Sequence, residues 1–268
     1  MNDIKHISSI QNSLIKTIVL LKDKSRERKK KGVFVLEGKR ELELAQKGNY
    51  QIQTILFYED ITAAAELQSI YNNLSTIELI SITKEVYQKI AYRQSTEGVL
   101  AIATSKSHNL EDLYFDTPNP LILVAEAPEK PGNMGALLRT ADAANLDAVI
   151  IANPKGDLYN PNSIRSSVGC IFTTQIATAT TEEAITFLKE KNANIFCAAL
   201  TASKTYTTVN YSETTAIVVG TEATGLSAAW LQNSSQNIII PMLGEIDSMN
   251  VSVSAAIIIF EALRQRSL

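Results

Sequence analysis

The second half of the chain alternates short, continuously apolar runs with longer stretches of mixed polarity. Runs at 121–125, 148–152 and 216–220 are apolar at nearly every position, which is typical of strands buried on both faces of a sheet. The stretches between them have the length and spacing of helices, as at 133–144 and 182–191. This alternation favours an α/β fold with a parallel sheet covered on both sides. In such sheets, ligand sites form beyond the carboxyl ends of the strands.

The remaining elements predict two domains. Further strands and helices of the second half are expected at 163–168, 172–176, 195–200, 228–231 and 238–240. The first half shows helical spacing over 6–22 and then the order β-α-β-α-β-α-β, which indicates a smaller α/β domain. Residues 105–120 are polar, contain two prolines and have no clear period. We therefore predict domains at 1–104 and 121–268, joined by a linker at 105–120.

The last helix is expected at 251–263 and is apolar on nearly every face except at Ser252, Ser254 and Glu261. A helix that is apolar all round is buried on all sides. At the end of this chain, that pattern suggests a second subunit or a fold that wraps around its own C-terminus. Asn145 is expected to end the helix at 133–144 in a left-handed conformation.

Positive charge is concentrated near the N-terminus. The net charge is −3, but residues 1–40 contain 11 Lys and Arg against 4 Asp and Glu, a net charge of +7. The basic run contains Lys24, Arg26, Arg28, Lys29 and Lys30. Such a run is either a solvated helix face or flexible loop, or a patch that contacts phosphates.

Several classes of protein are disfavoured. No apolar run is long enough to span a bilayer and the N-terminus lacks a signal-peptide core, so we expect a cytoplasmic protein. Cys170 and Cys197 are expected to be buried thiols, with a disulfide or metal pair as the alternative. The sequence has no GxGxxG, Walker, HExxH or GxSxG motif and no Cys/His cluster. No metal site is therefore expected.

Three loops of the second half carry polar residues beside glycines. They read PGNMGALLRTA at 131–141, GTEATGL at 220–226 and SMNVS at 248–252. Taken singly, Asn133 is a helix cap or a ligand contact, and Arg139 and Glu222 are surface charges or site residues. Because all three loops follow predicted strands, they are placed to share one site.

Together these loops resemble the three signature motifs of the SpoU (TrmH-like) RNA ribose 2′-O-methyltransferases of the SPOUT class. The first matches at Asn133-Met134-Gly135 and Arg139-Thr140-Ala141, and the second at 220–226. The third matches at Ile240-Pro241-Met242, at 248–252 with methionine for the usual leucine, and at 261–266. Residues 164–169, IRSSVG, resemble a further family segment. The first half resembles, more weakly, the family's L30e-like substrate-binding domain.

The resemblance implies a function, a cofactor and a set of site residues. It implies methyl transfer from S-adenosylmethionine to a ribose 2′-hydroxyl, with a deep trefoil knot in the C-terminal domain and a homodimer formed through it. The cofactor would contact Thr201, Gly220, Ile240 and Met249. The implied catalytic residues are Asn133, Arg139, Glu222, Ser248 and Asn250. Arg165 is expected to join the basic run in contacting RNA.

The role of Arg139 and the target RNA stay open at this point. A guanidinium does not readily give up its proton, so we expect Arg139 to stabilise developing alkoxide and clamp phosphate rather than act as a base. An L30e-like domain favours rRNA, most specifically 23S rRNA, over tRNA. The alternatives are a catalytically silent RNA-binding relative and, less favoured by the absent Gly-rich turn after residue 124, a dehydrogenase.

Overall fold

The computed structural model describes residues 4–70, 77–92, 97–201, 203–221 and 224–267. The chain separates into two compact units. The first unit consists of Met1–Lys106 and Leu158–Thr173, and the second of Ser107–Asp157 and Thr174–Leu268. The sequence pattern gave no sign that Leu158–Thr173 groups with the N-terminal residues.

Strands and helices alternate along most of the chain. In chain order the elements are β1 (Lys5–Ile7), α1 (Ser13–Asp23), α2 (Ser25–Lys31), β2 (Val33–Glu37), α3 (Lys39–Lys47), β3 (Ile52–Phe57), α4 (Ala64–Ile70), β4 (Glu78–Ile82), α5 (Lys84–Ile90), β5 (Val99–Thr104), β6 (Leu121–Glu126), α6 (Pro131–Ala143), β7 (Ala148–Ala152), α7 (Pro161–Ser166), β8 (Ile176–Ala179), α8 (Thr181–Glu190), β9 (Asn194–Ala198), β10 (Lys204–Thr205), β11 (Thr215–Val219), α9 (Ala228–Asn233), β12 (Gln236–Ile239) and α10 (Val251–Arg266). The predicted α/β class is confirmed.

The first unit is built on a mixed sheet. Over the described residues its strand order is β1-β4-β3-β5-β2, with β5 antiparallel to both of its neighbours. Its core includes Ile18 of α1, Leu56 of β3 and Val86 of α5. The apolar positions of α1 and α5 therefore cover one face of this sheet, as helical spacing predicts.

The predicted helix at 6–22 is wrong in its first half. Residues 5–7 form β1, in which Ile7 pairs with Ile82, and α1 begins only at Ser13. The Asn12 side chain caps α1 by accepting from the Leu14 N–H at 2.8 Å. Ile7 continued the helical apolar spacing by chance, because a three-residue strand is too short to display its own period.

The second unit contains a parallel sheet. Its order over the described residues is β10-β12-β9-β11-β6-β7-β8, and each strand in this order runs parallel to its neighbours. From β6 the chain adds β7 and β8 on one side, whereas β9 and β12 lie on the other side. Strand β11 is inserted between β9 and β6. The strand order thus reverses at β6 and β11, which is where open α/β sheets bind ligands.

The predicted strand at 172–176 is wrong. Residues Cys170–Phe172 form a short 3-10 helix, and the strand β8 starts at Ile176. Left-handed backbone at Val168 (φ 54°) and Gly169 (φ 83°) turns the chain before this helix. Phe172 then stacks on Phe34, with ring centroids 5.8 Å apart. An aromatic packing contact therefore explains apolar residues that resembled a strand.

The last helix is longer and less buried than predicted. Within this chain α10 buries Ala255, Ile258, Ile259 and Ala262 and packs against α6 and β11. Val253 and Phe260 are 48% and 51% exposed. The expectation of burial on all sides is therefore wrong for one chain, and α10 leaves an apolar strip open. Asn145 does adopt the predicted left-handed conformation, with φ 48°.

The structure can also be compared with the predictions for the two cysteines and for membrane-spanning helices. Cys170 and Cys197 are buried thiols with no disulfide between them, as expected. Burial raises the pKa of Cys197 to about 12, and the nearby Glu126 carboxylate adds to the shift. Within the described residues, no helix is both long enough and apolar enough to cross a membrane.

Candidate active site

A cavity of about 330 Å³ lies at the carboxyl edge of the second sheet. Its walls come from the ends of β6 and β11, from the start of α6 and from the first residue of α10. Strands β6 and β11 are parallel neighbours, so the residues that follow them emerge side by side. The cavity therefore lies where the strand order reverses, as the α/β rule predicts.

Two of the predicted catalytic residues meet at this cavity. Asn250 Nδ2 donates a hydrogen bond to Asn133 Oδ1 over 3.2 Å. Asn250 also caps α10, because its Oδ1 accepts from the Ser252 N–H at 3.0 Å. Asn133 lies in the first turn of α6. The first and third motifs, which are far apart in sequence, are thereby joined at the starts of two packed helices.

The loop after β11 is folded back on itself. Thr221 and Gly225 form an isolated antiparallel bridge, and the Thr221 and Thr224 hydroxyls are 2.8 Å apart. A side chain at Gly220 would collide with the main chain of Gly225. Gly225 has a φ of 66°, which favours glycine. Both glycines of the second motif are thus required by the backbone. Glu222, expected at the loop tip, lies outside the described residues.

A buried carboxylate beside the cavity was not predicted. Glu126, the last residue of β6, is 6% exposed. Its two oxygens accept from the Ser227 N–H at 2.8 Å and from the Thr181 hydroxyl at 3.0 Å. Glu126 therefore ties the end of the β11 loop to β6 and α8. The only signal in the sequence was a carboxylate that directly ends an apolar run.

The expected cofactor residues follow three adjacent strands. Thr201 comes after β9, Gly220 after β11 and Ile240 after β12, and β9 is a parallel neighbour of both other strands. Neighbouring strands are about 4.8 Å apart, so these positions span about 10 Å. Ile240 and Met249 are half-buried. Of these four residues, Gly220 lines the cavity, whereas Thr201, Ile240 and Met249 are not among its lining residues.

Two other predicted catalytic residues are not brought to this cavity by one chain. Arg139 lies on the exposed side of α6, and the cavity-lining residues do not include it. Ser248 is exposed in the segment before α10. The catalytic set that the motifs imply is therefore only partly assembled among the described residues of a single chain.

The predicted RNA contacts differ in their surroundings. Lys24, Arg26, Lys29 and Lys30 are exposed on or beside α2. Arg28 is 3% exposed and its guanidinium donates to the carbonyls of Leu21 and Lys22, at 2.5 and 2.9 Å, at the end of α1. The structure thus gives Arg28 a helix-capping role, contrary to the expectation that it contacts RNA. Arg165 is exposed on α7, where it donates to Asn162 Oδ1 at 3.0 Å.

No group of three or more His, Cys, Asp or Glu side chains that could hold a metal ion occurs in the described part of the chain.

Comparison with known proteins matches both halves of the chain to families. Residues 120–260 match the SpoU rRNA Methylase family, and residues 12–101 match the MRM3-like substrate binding domain. The chain is 27% identical to the 23S rRNA (guanosine(2553)-2′-O)-methyltransferase RlmP of Bacillus subtilis, covering 96% of this chain and 98% of that protein. It is 31% identical to the 23S rRNA (guanosine-2′-O-)-methyltransferase RlmB of Haemophilus influenzae, over 75% of this chain and 85% of the relative.

Solved structures agree with these matches. A crystal structure of an RNA 2′-O ribose methyltransferase is 38% identical, with a TM-score of 0.84, and covers 98% of this chain and 100% of its own. An AdoMet-bound rRNA methyltransferase from Sinorhizobium meliloti has the same fold, with a TM-score of 0.89 at 23% identity over 97% and 98% of the two chains. Because one family accounts for residues 120–260, more than half of the sequence, and its motif residues Asn133 and Asn250 are in contact, the protein belongs to the SpoU rRNA methylase family.

Proposed function

We propose that this protein transfers a methyl group from S-adenosylmethionine to a ribose 2′-hydroxyl in 23S rRNA. The observation that carries the proposal is the hydrogen bond between Asn250 and Asn133, which gathers the first and third motifs at the cavity beside Gly220. Family membership supports the reaction, and the names of the RlmP and RlmB relatives favour 23S rRNA over tRNA. The dehydrogenase alternative is contradicted by the same family match.

The reaction is chiefly a positioning task for the protein. When bound, the cofactor supplies a methyl group activated by its sulfonium. Main-chain groups near Thr201 and Gly220 bind the nucleoside part, and Ile240 and Met249 pack against its ring. The hydrogen-bonded pair of Asn133 and Asn250 would hold the ribose in a fixed orientation, which would remove much of the entropic barrier to reaction.

Arg139, Glu222 and Ser248 complete the proposed site. Loss of the 2′-hydroxyl proton to a solvent water builds negative charge on a weakly acidic oxygen. A guanidinium held beside that oxygen stabilises the charge without accepting the proton. We assign this role to Arg139, with Glu222 orienting the guanidinium and Ser248 contacting the ribose.

We further propose that the active form is a homodimer paired through the C-terminal domain. The exposed Val253 and Phe260 of α10 supply an apolar strip of the kind that a second subunit covers. Pairing near α6 and α10 would also bring the exposed Arg139 of one chain close to a neighbouring site. The trefoil knot implied by the motifs belongs to the same proposal. It is supported by the return of α10 to α6 and β11 after the chain has formed the more distant β12.

The RNA is held, in this proposal, by the N-terminal half. We retain the predicted division into a substrate-binding domain at 1–104, a linker at 105–120 and a methyltransferase domain at 121–268. Lys24, Arg26, Lys29, Lys30 and Arg165 contact phosphates, and their exposure supports this assignment. The cytoplasmic location stays a prediction.

The test maps 2′-O-methyl groups across rRNA and tRNA from a strain that lacks the gene. We expect the loss of one methyl group in 23S rRNA, restored by the wild-type gene but not by an Arg139→Ala variant. Guanosine 2553, the target in the name of the Bacillus relative, is the first nucleotide to inspect. An unchanged rRNA map with a lost tRNA methyl group would overturn the choice of substrate. Unchanged maps of both RNAs would favour the silent RNA-binding alternative.

A further inference from the structure

A second cavity, of about 390 Å³, is lined entirely by residues of the first unit. Its volume falls in the range of roughly 300–1,000 Å³ that is usual for small-ligand pockets. The floor is apolar and is formed by the buried residues Val35, Leu36 and Ile164. The polar groups that would determine ligand specificity also line the cavity and form its rim: Lys22, Glu37, Arg40, Glu41, Tyr92, Glu97 and Arg165.

The carboxylates of this rim already take part in the fold. Glu97 accepts from the Lys39 N–H at 2.5 Å, at the start of α3. Glu37 accepts from the Tyr92 N–H at 2.6 Å. Glu41 is 7% exposed, and its carboxylate lies so close to Gly38 that a side chain there would collide with it. These acids cap the first turn of α3 and hold Tyr92 in place, so they shape the cavity.

Tyr92 is the aromatic group of the rim. It is 48% exposed, and two cations lie near its ring. The Lys22 ammonium and the Arg165 guanidinium are each 5.9 Å from the ring centroid. Lys22 also donates to the Ile90 and Ala91 carbonyls, which hold its ammonium near Tyr92. A half-exposed aromatic ring with two cations near it is thus held beside an apolar cavity.

This combination matches the chemistry of an unstacked nucleotide. Proteins recognise single-stranded RNA by stacking its bases on aromatic rings or guanidinium planes, while cationic side chains bind the flanking phosphates. Lys22 is also near the C-terminal end of α1, next to the exposed cations Lys24 and Arg26. A strand that follows these cations would reach the cavity with its backbone already held. A duplex keeps its bases stacked and cannot place one inside.

We propose that this cavity binds one unstacked base of the RNA substrate, with Tyr92 as the stacking platform and Arg40 and Arg165 holding the flanking phosphates. This proposal rests on the proposed function, because it names the RNA feature that the same enzyme recognises. The cavity therefore selects substrates that present a single-stranded nucleotide.

The test measures RNA binding without methyl transfer, so that its result is separate from the proposed activity. Fluorescence anisotropy compares the full-length wild type with Tyr92→Ala and Tyr92→Phe, using a ten-nucleotide single-stranded RNA and the same RNA in a duplex. We expect Tyr92→Ala to weaken single-strand binding by about tenfold, the usual effect of removing one stacked base contact. Tyr92→Phe keeps the ring and should bind within about twofold of the wild type.

Tyr114→Ala is the matched control, since Tyr114 is 63% exposed and belongs to the second unit. Its affinity should equal that of the wild type. Equal binding by Tyr92→Ala and Tyr92→Phe, or equal binding of single strand and duplex by the wild type, would overturn the proposed base pocket. A wild-type protein that binds single strands through Tyr92 but methylates no RNA would instead refute the proposed function and leave the pocket standing.

Discussion

Asn250 donates a hydrogen bond to Asn133 across 117 residues of sequence, and the same Asn250 side chain caps α10. One amide therefore uses its oxygen for a helix and its nitrogen for the candidate site. Because the two roles use different atoms, substitutions at this position can separate stability from catalysis.

Replacing Asn250 with serine should keep the cap and lose the link to Asn133. Serine caps helices about as well as asparagine but is too short to reach the neighbouring helix. We expect the free energy of unfolding of Asn250→Ser to lie within about 0.5 kcal/mol of the wild-type value, whereas that of Asn250→Ala should be about 1 kcal/mol lower. Both variants should lower kcat at least about tenfold, because the ribose is no longer held in line. Urea unfolding and single-turnover methylation measure the two effects. Full activity in Asn250→Ser would show that catalysis does not need the hydrogen bond between Asn250 and Asn133.

Arg139→Ala should abolish methyl transfer with little change in cofactor binding. Removing one group that stabilises developing negative charge typically lowers kcat by about 10²–10³. Calorimetry with S-adenosylmethionine and tritium transfer to RNA give the two readouts. Arg264→Ala is a suitable control, because Arg264 is an exposed arginine that pairs with Glu261 on α10. A variant that keeps more than about a tenth of wild-type turnover contradicts the assigned role of Arg139.

Glu126→Gln should loosen the loop after β11. The new amide NH₂ replaces an oxygen that accepts from Ser227 or Thr181, leaving a buried donor unpaired at a cost of about 1–3 kcal/mol. We expect a lower free energy of unfolding and a higher KM for S-adenosylmethionine, with a smaller change in kcat. Glu129→Gln is the matched control, since Glu129 lines the same cavity but its side chain is 58% exposed and pairs with Lys155. Identical KM values for both variants would show that Glu126 does not position the loop.

Arg28→Ala and Lys29→Ala should affect different properties although the residues are adjacent: the first should lower stability and the second should weaken RNA binding. Arg28→Ala leaves the Leu21 and Lys22 carbonyls without their guanidinium donor, which should destabilise the protein by about 1–3 kcal/mol. Lys29→Ala should leave stability unchanged, weaken RNA binding and reduce the salt dependence of binding by about one phosphate contact. Thermal unfolding and filter binding at several salt concentrations distinguish them. Loss of RNA affinity in a stable Arg28→Ala protein would restore Arg28 to the phosphate-contacting set.

The Arg28 result illustrates what sequence patterns could and could not predict. The basic run was correctly recognised as exposed at Lys24, Arg26, Lys29 and Lys30. Nothing in the run distinguished Arg28, because its burial follows from how α2 packs after α1. Asn145 was predictable because a left-handed residue after a helix is a local requirement. Glu126 was not, since its partners Thr181 and Ser227 come from distant parts of the chain.

The motifs predicted which residues come together but not their geometry. In the structure Asn133 is hydrogen-bonded to Asn250 and lines the same cavity as Gly220. For Arg139 the sequence left a surface position and a site position open, because helical spacing does not say which neighbour covers a helix face. Periodicity also failed at β1 and at Cys170–Phe172, where segments of three residues are too short to show a period.

The position of β11 has a consequence for how the protein is made. During synthesis β6, β7 and β8 emerge early, yet β6 cannot pair on its other side until Thr215–Val219 has left the ribosome. Until then a buried apolar strand has an open edge, which is the kind of surface that pairs with other chains. Non-local pairing of this kind slows folding and lengthens the time during which the open edge can pair with other chains. Nascent chains that end before β11 should therefore be the species that most depend on chaperones.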